Sequence, residues 1–331
     1  MTTSNSKTGE IVVIGGGSWG GALADQLQKA KNSVTVLTRR QETADALNQA
    51  QLLALPQLRL NQPISSTLHP ECLRSAELIV IAVPVSATAK AIQLVRSYAS
   101  EKAIILFTGK GLLPHPQKGG VFLPEWVNES LSEFNPYGLL SGPSFADEVI
   151  LDKPAAVIIS SNSLSLSCII ADYFLMSCLR CYVGDDVMGV AVGGAVKNIV
   201  AIAAGIATGL ELGDNARAAL VTRGLAEISR LAVKIGGRGK TLNGLAGMGD
   251  LMLSCSGPHS RNMAYGMALA KKQHPEQKLA EGSKAAALLN ARAEYEDIEL
   301  PIAQSVYRIL QHPETIESEI RTLLSRTVTI E

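Results

Sequence analysis

Short apolar runs closed by glycine, proline or a polar residue recur through the first half of the chain: "EIVVIGGG", "SVTVLTRR", "AELIVIAVP", "KAIILFTG", "YGLLSG" and "PAAVIISS". Most of them are apolar without interruption, and "SVTVLTRR" is β-branched. Runs that are apolar at every position predict strands covered on both faces, the signature of a parallel sheet. Between some of them lie stretches with helical spacing, "WGGALADQLQKAK", "SATAKAIQLVRSYAS" and "SLSLSCIIADYFLMS". Strands with helical crossovers predict a doubly wound α/β domain. After "RCYVGDDVMG" the pattern changes, and no convincing strand remains. Helical stretches follow to the terminus, among them "NARAALVTRGLAEISRLAVKIG", "RNMAYGMALAKKQ", "KAAALLNARAEYE" and "PIAQSVYRIL", punctuated by glycine and proline. The expectation is an α/β domain over residues 1–186 and an all-helical domain over 187–331.

Composition narrows the function classes. The chain has 331 residues, enough for about two domains, and 47% of them are hydrophobic. Lys plus Arg total 30 and Asp plus Glu total 30, so the formal net charge is zero. A nucleic-acid partner would call for a basic excess, and none is present. Any anion site must therefore be local. The N-terminal "MTTSNSKTGE" lacks the apolar centre of a signal peptide. The longest apolar run, "GVAVGGAVKNIVAIAAGIATG", is broken by Lys197 and Asn198 into pieces too short to span a bilayer. No integral membrane segment is expected, and the location expected is cytoplasmic. The five cysteines are scattered. The lone Cys178-x-x-Cys181 has no second ligand pair, so buried thiols are expected there and no metal.

Candidate chemistry begins at "IVVIGGGSWGGAL", which holds Gly15-x-Gly17-x-x-Gly20 between a predicted strand and a predicted helix. That context points to a dinucleotide-binding loop of the Rossmann type. The first glycine permits the tight turn, the second lets backbone approach a pyrophosphate, and the third lets helix pack on strand. Where an NAD enzyme places a carboxylate on the adenosine ribose, this chain has Arg39 and Arg40. Guanidiniums there suit a 2′-phosphate, although a solvated loop would read the same way. NADP(H) is the preferred cofactor on this reading, with NAD(H) usable. Two further polar islands end predicted strands: Lys110 in "LFTGKGLLP", and Gly142, Ser144 and Ala146 in "LLSGPSFADE". Ligands of open parallel sheets bind at that edge.

In the helical half, Gly193 and Gly194 precede Lys197 on one helix face. Glycine inside a helix costs about 0.5–1 kcal/mol relative to Ala, which implies that a helix or a ligand comes close. The alternative for Lys197 is a snorkelling stem. Asp250 in "AGMGDLMLSC" reads equally as a helix-capping aspartate. Ser260, Arg261 and Asn262 open a predicted helix, where amides and a guanidinium make an anion site, or merely a cap with a solvated arginine.

Taken together, "GGGSWG", "TGKGL", "SGPSFADE", "GGAVKN", "TRGLAE", "AGMGDL" and "SRN" occur in the order found in bacterial NAD(P)-dependent glycerol-3-phosphate dehydrogenase, which the chain resembles over roughly residues 11–310. The resemblance implies a Rossmann domain followed by a helical domain of the 6-phosphogluconate dehydrogenase C-terminal type. It implies reversible reduction of dihydroxyacetone phosphate to sn-glycerol 3-phosphate, the precursor of the phospholipid backbone, with a homodimer as candidate assembly. By motif, Lys197 resembles the catalytic lysine, with Lys110 and Asn198 beside the reacting carbonyl. Asp250 resembles the carboxylate that orients the ammonium, with Ser254 one turn on. Arg261 and Asn262 resemble the phosphate clamp, and Gly142, Ser144 and Ser260 its neighbours on the substrate. Ser18, Trp19, Arg39, Ala146, Arg261, Leu279 and Glu281 resemble cofactor contacts. The stretch after Lys110, "LLPHPQKGGVFLPEW", departs from the family pattern. Dehydrogenases of β-hydroxy acids place Lys and Asn four apart, whereas here they are adjacent. "SGPSFA" and "GGAVKN" do not suit ketopantoate reductases. A non-catalytic NADP(H) sensor should have lost Lys110, Lys197 or Asp250, and all three are present.

Overall fold

The apolar runs form the centre of an eight-stranded sheet: β1 (Glu10–Ile14), β2 (Ser33–Leu37), β3 (Ser65–Thr67), β4 (Leu78–Ile81), β5 (Ile104–Phe107), β8 (Tyr137–Ser141), β9 (Ala155–Ser161) and β10 (Leu179–Gly184). The structure is a computed structural model and describes residues 9–131, 135–273 and 281–324. The strand order is β10-β9-β8-β5-β4-β1-β2-β3, so chain order reverses between β1 and β4. That reversal is the switch point at which such sheets bind ligands. All four residues of β4 and of β5 are buried, as strands covered on both faces must be.

The sheet departs from the expected all-parallel plan at one end. β9 runs antiparallel to β8, and β10 follows β9 in parallel. The chain between β8 and β9 carries only the five-residue helix α5 (Ala146–Ile150), which at about 1.5 Å per residue is shorter than β8 itself and does not run the chain back along the sheet for a parallel return. The three-residue β3 was not foreseen because so short a strand leaves no pattern. Helices α1 (Ser18–Lys29), α2 (Gln41–Leu47), α3 (Thr88–Tyr98) and α6 (Leu164–Asp172) complete the layers. The core of this unit joins Leu23 and Leu27 of α1 to Val13, Val36, Val80 and Leu106 of the sheet.

The chain divides into two compact units, one of residues 1–110 and 127–187, the other of 111–126 and 188–331. The boundary expected after residue 186 thus lies one residue later, and an excursion was missed. Residues 111–126 fold with the second unit as a hairpin of β6 (Leu112–His115) and β7 (Gly119–Phe122), followed by the start of α4 (Leu123–Ser130). The second unit is therefore helical but not all-helical. Its centre is α7 (Val187–Gly209), buried from Gly189 to Ala207. Around it lie α8 (Asp214–Lys234), α9 (Gly239–Leu242), α10 (Asp250–Cys255), α11 (Arg261–Ala270), α12 (Glu281–Tyr295), α13 (Pro301–Gln311) and α14 (Ile316–Leu324). By length and composition α7 could cross a membrane, yet its most apolar window is wholly buried within the protein.

Candidate active site

In the first unit, four sequence-predicted islands end strands that point the same way, β1, β2, β5 and β8. Gly15 follows β1 with φ +116°, where a Cβ would lie 2.6 Å from the Ala82 carbonyl oxygen. A Cβ on Gly20 would collide with the Gly15 carbonyl oxygen, so neither position tolerates a side chain. Gly17, the N-cap of α1, has nothing within 4 Å of where its Cβ would be. The open side of the turn therefore faces the first amides of a twelve-residue helix, a cradle for a pyrophosphate. Trp19 packs against the sheet core. Among the residues present, this turn fits a dinucleotide.

At the end of β2, Thr38 is buried and Arg39 and Arg40 are exposed. Arg40 pairs with Glu42 at 3.1 Å, with both side chains more than 60% exposed, a solvated pair that leaves the guanidinium available. At the ends of β5 and β8, Lys110 Nζ donates to the Gly142 carbonyl oxygen at 3.2 Å, and Ser144 Oγ donates to the same oxygen at 3.1 Å. Gly142 adopts φ +126°. Ala146 begins α5 and packs on the core.

The second unit gathers the remaining candidates on α7 and its neighbours. Lys197 is buried, and its ammonium donates to Asp250 Oδ1 and, at 2.9 Å, to Ser254 Oγ. The snorkelling alternative is thereby excluded. Asp250, 1% exposed, does not act as a capping residue: it continues a π-helical turn, Leu245–Gly249, into α10. A buried ion pair survives only when both charges are matched, and here Asp250 and Ser254, one turn apart, converge on one ammonium. Cys255 follows, its thiol pushed up to about 12 by burial despite the opposing charge of Lys197.

Gly193 makes this pairing possible. A Cβ there would sit 2.5 Å from the Ala246 carbonyl oxygen in the π-helical turn. The close neighbour that the helix glycines implied is thus protein backbone. Gly193→Ala is expected to destabilise the chain by about 1–3 kcal/mol, the usual cost of overpacking, as read from denaturant unfolding.

Asn198, Asn262 and Gly282 form a chain of hydrogen bonds whose polarity has one solution. The Gly282 N–H can only donate, and it donates to Asn262 Oδ1 at 3.0 Å. Asn262 must then present its Nδ2, which donates to Asn198 Oδ1 at 3.0 Å. The Asn198 NH2 is left as a donor. Sequence reasoning missed Gly282, although the Glu281-Gly282 pair at the start of a helix was the available signal. A Cβ on Gly282 would lie 2.6 Å from the Asn198 carbonyl oxygen. Glu281 is half-buried beside it at the start of α12. Ser260 is the N-cap of α11 and accepts from the Met263 N–H at 3.4 Å. Arg261 is exposed at the first position of that helix, with no partner among the described residues. Leu279 lies outside the described residues. The described residues contain no cluster of metal-ligating side chains.

Comparison with known proteins matches both parts of the chain to one family. The family described as NAD-dependent glycerol-3-phosphate dehydrogenase matches through its N-terminal part over residues 10–167 and through its C-terminal part over 186–321. A glycerol-3-phosphate dehydrogenase (NAD(P)+) of Macrococcus caseolyticus is 37% identical, over 97% of this chain and 99% of its own. One of Nitrosomonas eutropha is 40% identical, over 96% and 97%. The crystal structure of glycerol-3-phosphate dehydrogenase from Coxiella burnetii superposes with a TM-score of 0.87 at 34% identity, covering 96% of this chain and 99% of that one.

Proposed function

The chain belongs to the NAD-dependent glycerol-3-phosphate dehydrogenase family, and on that premise we propose how its own residues carry out the chemistry. The reaction is the reversible, NAD(P)H-dependent reduction of dihydroxyacetone phosphate to sn-glycerol 3-phosphate, which supplies a phospholipid precursor. The observation that carries the assignment of roles is the buried Lys197–Asp250–Ser254 cluster set into an apolar helix.

Bound NAD(P)H supplies the hydride. As the ketone carbon is reduced, negative charge builds on its oxygen. Lys197 meets that oxygen with a preorganised ammonium and passes it a proton. Asp250 and Ser254 hold Nζ in place and keep it charged until transfer. The Asn198 NH2, oriented by Asn262, is a second donor to the substrate oxygens. Lys110, held on the Gly142 carbonyl, supplies a second cation. The apolar walls of α7 strengthen these interactions by excluding water. Arg261, with Ser260, Asn262 and the first amides of α11, clamps the substrate phosphate. Gly15, Gly17, Ser18, Trp19 and Gly20 cradle the cofactor pyrophosphate, while Ala146 and Glu281 flank the rest of the cofactor. The test is an assay of purified protein with dihydroxyacetone phosphate and NADPH, following nicotinamide absorbance. No loss of absorbance would refute the reading.

The preferred cofactor on this reading is NADPH. No carboxylate ends β2; Thr38 is neutral, and the two guanidiniums beyond it are exposed. A charge-assisted bond to a 2′-phosphate contributes about 1.5–3 kcal/mol, or about 10- to 100-fold in affinity. Because the site is at the surface, the preference should weaken with added salt. Replacing Arg39 and Arg40 together by Ser is expected to bring kcat/KM for NADPH down towards that for NADH. Equal efficiencies in the native protein at low salt would show the arginines to be a solvated loop. A cytoplasmic setting belongs to the same reading, supported by five cysteines that are all free.

A further inference from the structure

The stretch after Lys110 took no role in the sequence reading, yet it is tied down more firmly than any surface hairpin requires. Its anchor is Arg292 of α12, a guanidinium only 2% exposed. Arg292 grips Glu125 in a fork, Nη2 to Oε1 at 2.6 Å and Nη1 to Oε2 at 3.1 Å. Nη1 also donates to the Gly120 carbonyl oxygen at 3.1 Å, and Nε to Glu296 Oε1 at 2.9 Å. Glu125 in turn accepts from the Phe122 N–H at 2.9 Å, closing the turn from β7 into α4. A Cβ on Gly120 would lie 2.8 Å from the Leu288 carbonyl oxygen, so β7 rests directly on α12.

A buried ion pair of this kind adds little to net stability, because its attraction is spent on desolvation. A fixed geometry is what it does supply. The hairpin begins at Leu112, and only Gly111 separates it from Lys110. One residue spans at most about 3.3–3.6 Å, so slippage of the hairpin passes to the Lys110 backbone almost undiminished. The other end of α12 carries Gly282, bonded to Asn262 and through it to Asn198. One helix thus secures the Asn198 relay at its start and the Lys110 hairpin further along.

We propose that Arg292 and Glu125 are positioning residues that set the place of Lys110 in the reaction through the Gly111–Phe122 hairpin. The proposal rests on the reading of Lys110 as a catalytic cation. It implies that breaking the clasp costs turnover only for as long as Lys110 is present.

The experiment is a double-mutant cycle in the full chain with Glu125→Gln, which keeps the shape of the side chain but turns one of the two acceptor oxygens of the fork into a donor, and Lys110→Ala. Glu125→Gln is expected to lower kcat at least about tenfold, with KM for NADPH within about twofold of native. Coupled residues are non-additive, so adding it to Lys110→Ala should cost less than about twofold further. Arg292→Lys keeps the charge without the fork and should repeat the pattern. Glu227→Gln serves as the purely structural comparison, since Glu227 is buried and accepts from the Ile302 and Ala303 N–H groups of α13. Its effect should be the same with or without Lys110. Native kcat in folded Glu125→Gln, multiplicative losses in the cycle, or failure of both clasp variants to fold would overturn the proposal. Absence of turnover in the native chain would instead sink the functional reading on which it stands.

Discussion

Lys197→Ala is expected to lower kcat by about 10²–10⁴-fold, the range that a positioned general acid contributes. Cofactor affinity should barely move, because the dinucleotide cradle lies in the other unit, at the end of β1. The substitution also strands Asp250, 1% exposed, without its ammonium. Losing one partner of a buried pair costs about 3–5 kcal/mol, so thermal unfolding must be measured beside the kinetics. Lys197→Met separates the two effects when combined with Asp250→Asn, which removes the stranded charge. If the double variant melts near the native temperature and still turns over within tenfold of native, Lys197 is a structural ammonium and the proposed acid must be sought elsewhere. Rescue of Lys197→Ala turnover by an added alkylammonium ion, with the solvent isotope effect of the native enzyme restored, would locate the proton transfer at this position.

Unphosphorylated dihydroxyacetone is expected to be reduced with kcat/KM about 10²–10⁴-fold below that of its phosphate, because charge-assisted bonds of about 1.5–3 kcal/mol each are missing at the α11 terminus. Arg261→Lys should recover the charge but not the fork, raising KM for dihydroxyacetone phosphate about tenfold or more. Its effect on dihydroxyacetone should be small, since that compound has nothing for the guanidinium to hold. The pair of measurements matters more than either alone. A loss shared equally by both substrates would place Arg261 on the cofactor instead, and similar native efficiency on both compounds would remove the clamp. The exposure of Arg261, in contrast to half-buried Asn262 and buried Ser260 beside it, suits a group that waits for an anion rather than one serving the fold.

The α/β character of the first unit was written in local runs: β4 and β5 are apolar at every position because both their faces are covered. The glycine turn was equally legible, since Gly15 and Gly20 answer to backbone alone, at φ +116° or against a carbonyl oxygen, where only glycine fits. Lys197 could be suspected from the sequence, for an ammonium inside "GGAVKN" contradicts its surroundings. The sequence did not distinguish a snorkelling stem from a paired acid, because the partner stands 53 positions away, beyond a π-helical turn with no periodic signature. The same limit hid the reversal of β9, which depends on how little chain the short α5 provides, and the excursion of residues 111–126. Nothing local marks "LLPHPQKGGVFLPEW" as part of the helical unit; the Arg292–Glu125 pair that holds it spans 167 positions. Periodicity and backbone permission are properties of neighbours in sequence, and they determined the elements, the cofactor turn and the suspect lysine. Which charges are buried together, and what they hold in place, is settled by the low dielectric of a packed interior, where a charge must find its partner wherever the fold brings one.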